Sequence, residues 1–230
     1  MTGERAIPEL TGPVEDYLKT IYELETRKGA ASTNDIAAAL RIAAPSVSGM
    51  IRRLSGQGLI THEPYKGVQL TREGRRAALK TIRRHRVIEA YLTQALGYPW
   101  DRVHDEAERL EHAASDELID RMAEAIGEPA TDPHGAPIPT REGTIGAEPT
   151  LSALAELADG GRARIARVGD RDAERLRYLA TLGMAIGAEV ELVSREPYEG
   201  PITVKVDGKR RVIGSELARQ ILVEPKRRAK

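Results

Sequence analysis

The chain carries five histidines and no cysteine, and three of the histidines fall among acidic residues at helical spacing. His85 and Glu89 stand one helical turn apart, so on a helix they share a face. Further along, His104, Glu108, Glu111 and His112 follow at steps of four, three and one. At 100° per residue these side chains fall in a sector of about 100°, a stripe of imidazoles and carboxylates. The stripe borders Val103, Ala107, Leu110 and Ala114 and is expected to be partly covered. Carboxylates packed that closely repel one another unless a cation neutralises them. Without thiolates the donors suit manganese, iron(II), cobalt or zinc, and the hard oxygens favour manganese. The alternative is a solvated acidic face, because Glu-rich helices often carry such spacings by chance.

Two helices must position these residues. One is expected from about Thr71 to Gly97, opening with a basic stretch to Arg86 and continuing through Val87, Ile88, Tyr91, Leu92 and Leu96. A single helix is expected over 99–126, closed by Gly127. Val87, Ile88, Tyr91 and Leu92, with Leu110, Ala114 and Leu118, form either a dimer surface or intramolecular core.

Upstream, apolar spacing over 13–28 marks a helix with Pro13 in its first turn and Gly29 past its end. Ser32 or Thr33 caps a short second helix, and a third begins near Pro45 with Val47, Met50, Ile51 and Leu54 on its inner face. Residues 59–71 then read as two short strands around a turn at 65–67. Three helices and a β-ribbon within residues 1–72 make a winged helix-turn-helix. In that motif the later helix enters the major groove by its N-terminal end. Pro45, Ser46, Ser48 and Gly49 would lead it, with Arg52 and Arg53 a turn later and Lys66 at the wing tip, suited to base edges and phosphates. The same fold also serves as a protein-interaction module.

Residues 128–150 are rich in Pro, Gly and Thr and are expected to be a linker. Beyond it, segments 162–168, 188–194, 201–206, 210–213 and 221–223 alternate like strands around one helix at 172–182, a small barrel over 151–230. Zero net charge conceals an asymmetry. Residues 1–100 hold 15 Lys/Arg against 10 Asp/Glu, residues 101–160 hold 4 against 15, and residues 161–230 hold 16 against 10. A basic front followed by an acidic centre suits a nucleic-acid-binding unit joined to a cation-binding unit. No apolar run approaches a membrane span. The first residues lack the apolar core of a secretory leader, so a cytoplasmic protein is expected. There is no Gly-rich phosphate loop or HExxH motif. The stripe offers no general base beyond its own donors, so neither hydrolysis nor a small organic substrate is expected.

The segments EDYLKTIYEL, RRHRVIEAYL, VHDEAERLEHAASDEL and DPHGAPIP resemble the diphtheria-toxin-repressor family of metal-dependent regulators, across essentially the whole chain. The resemblance implies a mainly α fold with a small β domain. It comprises a winged helix-turn-helix (1–72), a helical metal-binding and dimerisation domain (73–146) and a C-terminal SH3-like β-barrel. It implies a repressor that binds double-stranded operator DNA as a homodimer when loaded with a divalent metal. Carried over by motif position, one metal site would use His85, Glu89 and His104. The other would use Asp16 with Glu108, Glu111 and His112. Where iron-responsive members carry Met and Cys, this chain has Asp16 and Glu108, the choice of manganese-responsive members, with iron(II) as the alternative. Where iron-type members lend two ligands from the C-terminal domain, an ungapped match puts Arg167 and Asp170, so only Asp170 could serve. Gly49 stands where some members present a Gln to bases.

Overall fold

A computed structural model describes residues 10–63 and 67–226. It opens with α1 (Gly12–Lys28), α2 (Thr33–Leu40) and α3 (Ala44–Gly56), followed by β1 (Ile60–Glu63) and β2 (Gly67–Leu70). Pro13 occupies the first turn of α1 and left-handed Gly29 ends it, where a missing amide and a missing Cβ cost nothing. Ser32 caps α2 by accepting the Asp35 amide, which satisfies one orphan donor of the first turn. Arg41, with φ 55°, turns the chain from α2 toward α3. Leu18, Ile21, Ile36, Val47, Leu54 and Val68 are buried in one core beneath this unit, each worth about 1.5–3 kcal/mol. The strands pair antiparallel, Ile60 opposite Leu70 and Glu63 opposite Gly67. The expected winged helix-turn-helix is present; the wing tip with Lys66 lies outside the described residues.

The long helix is α4 (Arg72–Leu96). The predicted single helix over 99–126 is instead two, α5 (Val103–Leu110) and α6 (Asp116–Ala125). Ser115 followed by Asp116 and Glu117 is a helix start concealed inside an unbroken apolar period. Leaving the helix after Leu110 also lets Glu111 turn into a position with no solvent exposure. Val87, Ile88 and Leu92 are buried within the chain's own core, whereas Leu110 and Leu118 stay 42% and 45% exposed. The first three are therefore intramolecular core.

The predicted linker is in large part a packed loop. Thr131 bridges Pro137, the Ile138 amide bonds the Ala130 carbonyl, and Asp132 and His134 are buried. Gly135 has φ 85°, and a Cβ there would lie 1.9 Å from the Ala166 carbonyl oxygen, so both backbone conformation and space demand glycine. Here Pro and Gly encode a specific turn.

The C-terminal part holds β3 (Ser152–Ala153), β4 (Arg162–Arg167), α7 (Ala173–Thr181), β5 (Glu189–Arg195), β6 (Ile202–Val206), β7 (Lys209–Ile213), α8 (Ser215–Arg219) and β8 (Leu222–Pro225). The strands form one antiparallel SH3-like sheet in the order β3-β8-β4-β5-β6-β7. Its core includes Leu154, Ile165, Leu176, Leu192, Val204 and Val223. β3 and α8 were not anticipated; at two and five residues they are too short to show a period.

Two compact units share the chain. One comprises the described residues up to His85 with Leu110–Ser115 and Pro139–Gly146. The other comprises Arg86–Arg109, Asp116–Ile138 and the described residues from Ala147 onward. Among the described residues no helix is long and apolar enough to cross a membrane.

Candidate metal centre and nucleic-acid interface

In the first unit, three of the expected residues converge. Asp16, Glu111 and His112 each offer a donor atom within 4.8 Å of the others. Asp16 comes from α1, whose apolar side seats Val14, Leu18 and Ile21 in the core. Glu111 and His112 come from the turn between α5 and α6. His112 Nε2 lies 2.8 Å from Asp16 Oδ1 and 3.5 Å from Glu111 Oε1, while Nδ1 lies 2.7 Å from Glu15 Oε2. Both ring nitrogens thus face carboxylates. Burial works against a charge on this ring. The hydrogen bond to Glu15 and the charges of Asp16, Glu111 and Glu15 outweigh it and raise the His112 pKa.

Sequence reasoning missed the residues that answer the remaining charge. Lys19 is buried on α1, and its ammonium donates to Glu111 Oε1 at 3.1 Å and Oε2 at 2.9 Å. Lys19 Nζ also lies 3.1 Å from His85 Nδ1, which itself lies 2.5 Å from Glu111 Oε2. Arg84 of α4 pairs with Glu15. Three carboxylates gather around one imidazole, with an ammonium and a guanidinium beside them, a cluster of negative charge that a cation would neutralise. All the facing donors are oxygen or imidazole nitrogen, so the set fits a hard or borderline divalent metal.

In the second unit Glu89, His104 and Asp170 come together. His104 Nδ1 lies 3.4 Å from Glu89 Oε1 and 3.9 Å from Asp170 Oδ2, and its Nε2 lies 3.8 Å from Glu108 Oε1. Glu89 is fully buried, and His85 stands one turn before it in α4. Arg167, by contrast, donates to the Gly135 carbonyl and pairs with Glu148. Asp132 and His134, which fall in the segment expected to be a linker, are buried near Glu89. Burial works against the His134 charge, but Glu89 and Asp132 raise its pKa to about 9.

On α3, Pro45, Ser46, Gly49, Arg52 and Arg53 are exposed along one side while Val47, Ile51 and Leu54 are buried. A Cβ on Gly49 would meet nothing within 4 Å, so this position is open to a close partner. Ser48 is half-buried, its hydroxyl donating to the Ala44 carbonyl at 3.2 Å. Its sequence-based role at a base edge competes with that internal bond.

Residues 9–68 match the family model of the iron-dependent repressor N-terminal DNA-binding domain. Residues 71–140 match the iron-dependent repressor metal-binding and dimerisation domain, and residues 153–225 match the FeoA domain. The chain is 33% identical over 226 residues to the diphtheria toxin repressor of Corynebacterium glutamicum, covering 94% of this chain and 97% of that one. It is 31% identical over 228 residues to the iron-dependent repressor IdeR of Mycobacterium tuberculosis, covering 94% and 98%. Among solved structures, a manganese-dependent transcriptional repressor in complex with manganese matches with TM-score 0.84 and 39% identity, over 93% of this chain and 100% of that one. The chain belongs to the iron-dependent, or diphtheria toxin, repressor family of metal-dependent transcriptional repressors.

Proposed function

We propose that this protein is a manganese-responsive repressor that binds the operator DNA of metal-uptake genes as a homodimer in the cytoplasm. The observation that carries the choice of metal is the donor set of Asp16, Glu111 and His112, in a chain with no cysteine. Hard oxygens and imidazole without sulfur favour manganese. The proposed ligands are Asp16, Glu108, Glu111 and His112 for one ion, and His85, Glu89 and His104 with Asp170 for another. Proposed DNA contacts are Pro45, Ser46, Ser48, Gly49, Arg52, Arg53 and Lys66. The proposed domains are 1–72 for DNA binding, 73–146 for metal binding and dimerisation, and 151–230 for the SH3-like domain, in step with the three matched family models.

The mechanism rests on where the ligands come from. Asp16 belongs to α1, whose core also seats the recognition helix α3, while Glu111 and His112 belong to the turn after α5. Without metal, the Lys19 ammonium and a proton on His112 hold the carboxylates together. A bound divalent cation supplies two positive charges and directional bonds to oxygen and imidazole donors. Asp16, Glu111 and His112 would hold that ion in common and so tie α1 to that turn. This selects the arrangement in which two recognition helices of a dimer meet successive major grooves. We read the chain as a regulator rather than an enzyme.

A second reading, an iron(II) sensor, is favoured by relatives that are themselves named iron-dependent repressors. Titrating manganese, iron(II) and zinc separately under anaerobic conditions, while measuring binding to the DNA upstream of the protein's own gene, separates the two. Manganese activating at lower free concentration than iron(II) supports the proposal; the reverse order replaces it with the iron reading.

A further inference from the structure

The C-terminal sheet ends on β7, which pairs with β6 along one side. Apart from that ladder, no backbone hydrogen bond among the described residues involves Lys209–Ile213. The far side of β7 therefore presents open amides and carbonyls, a ready template for one more strand. Asp207 and Gly208, with φ 47° and 81°, turn the chain from Val206 directly to Lys209. Such a two-residue turn fixes the register of the hairpin and so the face on which each β7 side chain stands. Arg210 lies opposite Lys205 of β6, and Val212 lies opposite Thr203. Lys205, Lys209 and Arg210 are exposed, Arg211 is half-buried, and Val212 is 59% exposed. Elsewhere in this domain cations have carboxylate partners: Arg162 pairs with Glu191, and Arg219 with Glu199. Lys205, Lys209 and Arg210 have no ion pair among the described residues. Glu191, across the ladder from Lys205, is engaged by Arg162 instead.

We propose that β7 is a docking edge, which an extended acidic segment of a partner protein joins as a further antiparallel strand. The open ladder supplies main-chain hydrogen bonds, and the side chains along it select the partner. Opposite charges set across a strand pair stabilise it, and like charges destabilise it. A second copy of β7 would bring three more cations to the same short ladder, so the charges that attract an acidic strand also keep two copies apart. Duplex DNA could answer the cations but would leave the open ladder and exposed Val212 unused, which favours a peptide. Antiparallel pairing sets the order along the partner. Its apolar residues come first, against Ile213 and Val212, and its carboxylates follow against Arg211, Arg210 and Lys209. This surface is separate from the metal ligands and from α3, so the inference does not rest on the proposed function.

The test uses the full chain and two labelled peptides, one of two valines followed by three glutamates, the other with lysines in place of the glutamates. Fluorescence anisotropy measures affinity for wild type and Arg210→Glu, and amide hydrogen exchange locates the bound peptide. The expected result is saturable binding of the glutamate peptide to wild type, with exchange slowed within Lys209–Ile213. Binding should be at least about tenfold weaker for the lysine peptide, and for the glutamate peptide with Arg210→Glu. Failure of the glutamate peptide to bind, or equal binding of both peptides, overturns the inference. Binding that leaves exchange in β7 unchanged overturns it as well, because charge attraction alone adds no strand. Duplex DNA of random sequence that displaces the peptide, and does so less well with Arg210→Glu, would make β7 a phosphate contact and overturn the peptide reading. Should Arg210→Glu fail to fold by circular dichroism, the exchange pattern of wild type decides.

Discussion

His112 Nε2 lies 2.8 Å from Asp16 Oδ1, so a side chain from the turn after α5 holds the first helix of the winged helix-turn-helix. Asp16→Ala removes the carboxylate and leaves the apolar side of α1 intact. Metal stimulation of DNA binding, expected at about 5–150-fold in wild type for a coupling of this kind, should fall to near unity. Fluorescence anisotropy with and without manganese measures it. Full stimulation retained in the variant would remove Asp16 from the switch.

Lys19 contributes most in the metal-free protein. Its ammonium is the buried partner of Glu111, and losing one member of a buried pair costs about 3–5 kcal/mol. Lys19→Met should therefore lower Tm in chelator, and manganese should raise Tm more in the variant than in wild type. An unchanged Tm in chelator would show that the ion pair is not what holds the metal-free site.

The pH dependence follows from the raised pKa of His112. In the metal-free fold the imidazolium is favoured over its unfolded state. That stabilisation is fully present below the ordinary histidine value and is lost as pH rises through the raised one. A ligand must give up this proton, so manganese affinity should increase as pH rises through the same range. Calorimetry in buffers of different ionisation enthalpy should detect net proton release on manganese binding at neutral pH. Binding without proton release would contradict the assignment of His112 as a ligand.

Arg52 and Arg53 lie exposed on α3. Changing either to Ala should weaken DNA binding with no change in manganese stoichiometry. Removing an arginine that neutralises a phosphate should make the slope of log affinity against log salt shallower by about 1. An unaltered slope in both variants would place the phosphate-binding groups elsewhere.

Much of this architecture was legible from the chain itself. The period of α1 and α4, Pro13, Gly29 and the Ser32 cap are local signals, and the structure honours them. The stripe of His104, Glu108, Glu111 and His112 was legible as a group of donors. Its break after Leu110 was not, because Glu111 leaves the helix for a partner, Lys19, that lies 92 residues away in sequence. Glu15, Lys19 and Arg84 carry no distinguishing signal in the sequence for the same reason. Nothing in the spacing of a charged residue says whether it turns inward when its counter-charge is distant. The loop at Asp132 and His134 was obscured by composition: Pro and Gly there build a rigid turn, and only the carbonyl of Ala166 against Gly135 reveals why.

The most direct measurement is a manganese titration of the full chain on its own upstream DNA, with occupancy followed in parallel by electron paramagnetic resonance. The expected result is weak, strongly salt-dependent binding in chelator, and a large gain in affinity whose midpoint coincides with filling of the Asp16, Glu111 and His112 site. Equal affinity in chelator and in saturating manganese would contradict a metal-operated DNA switch.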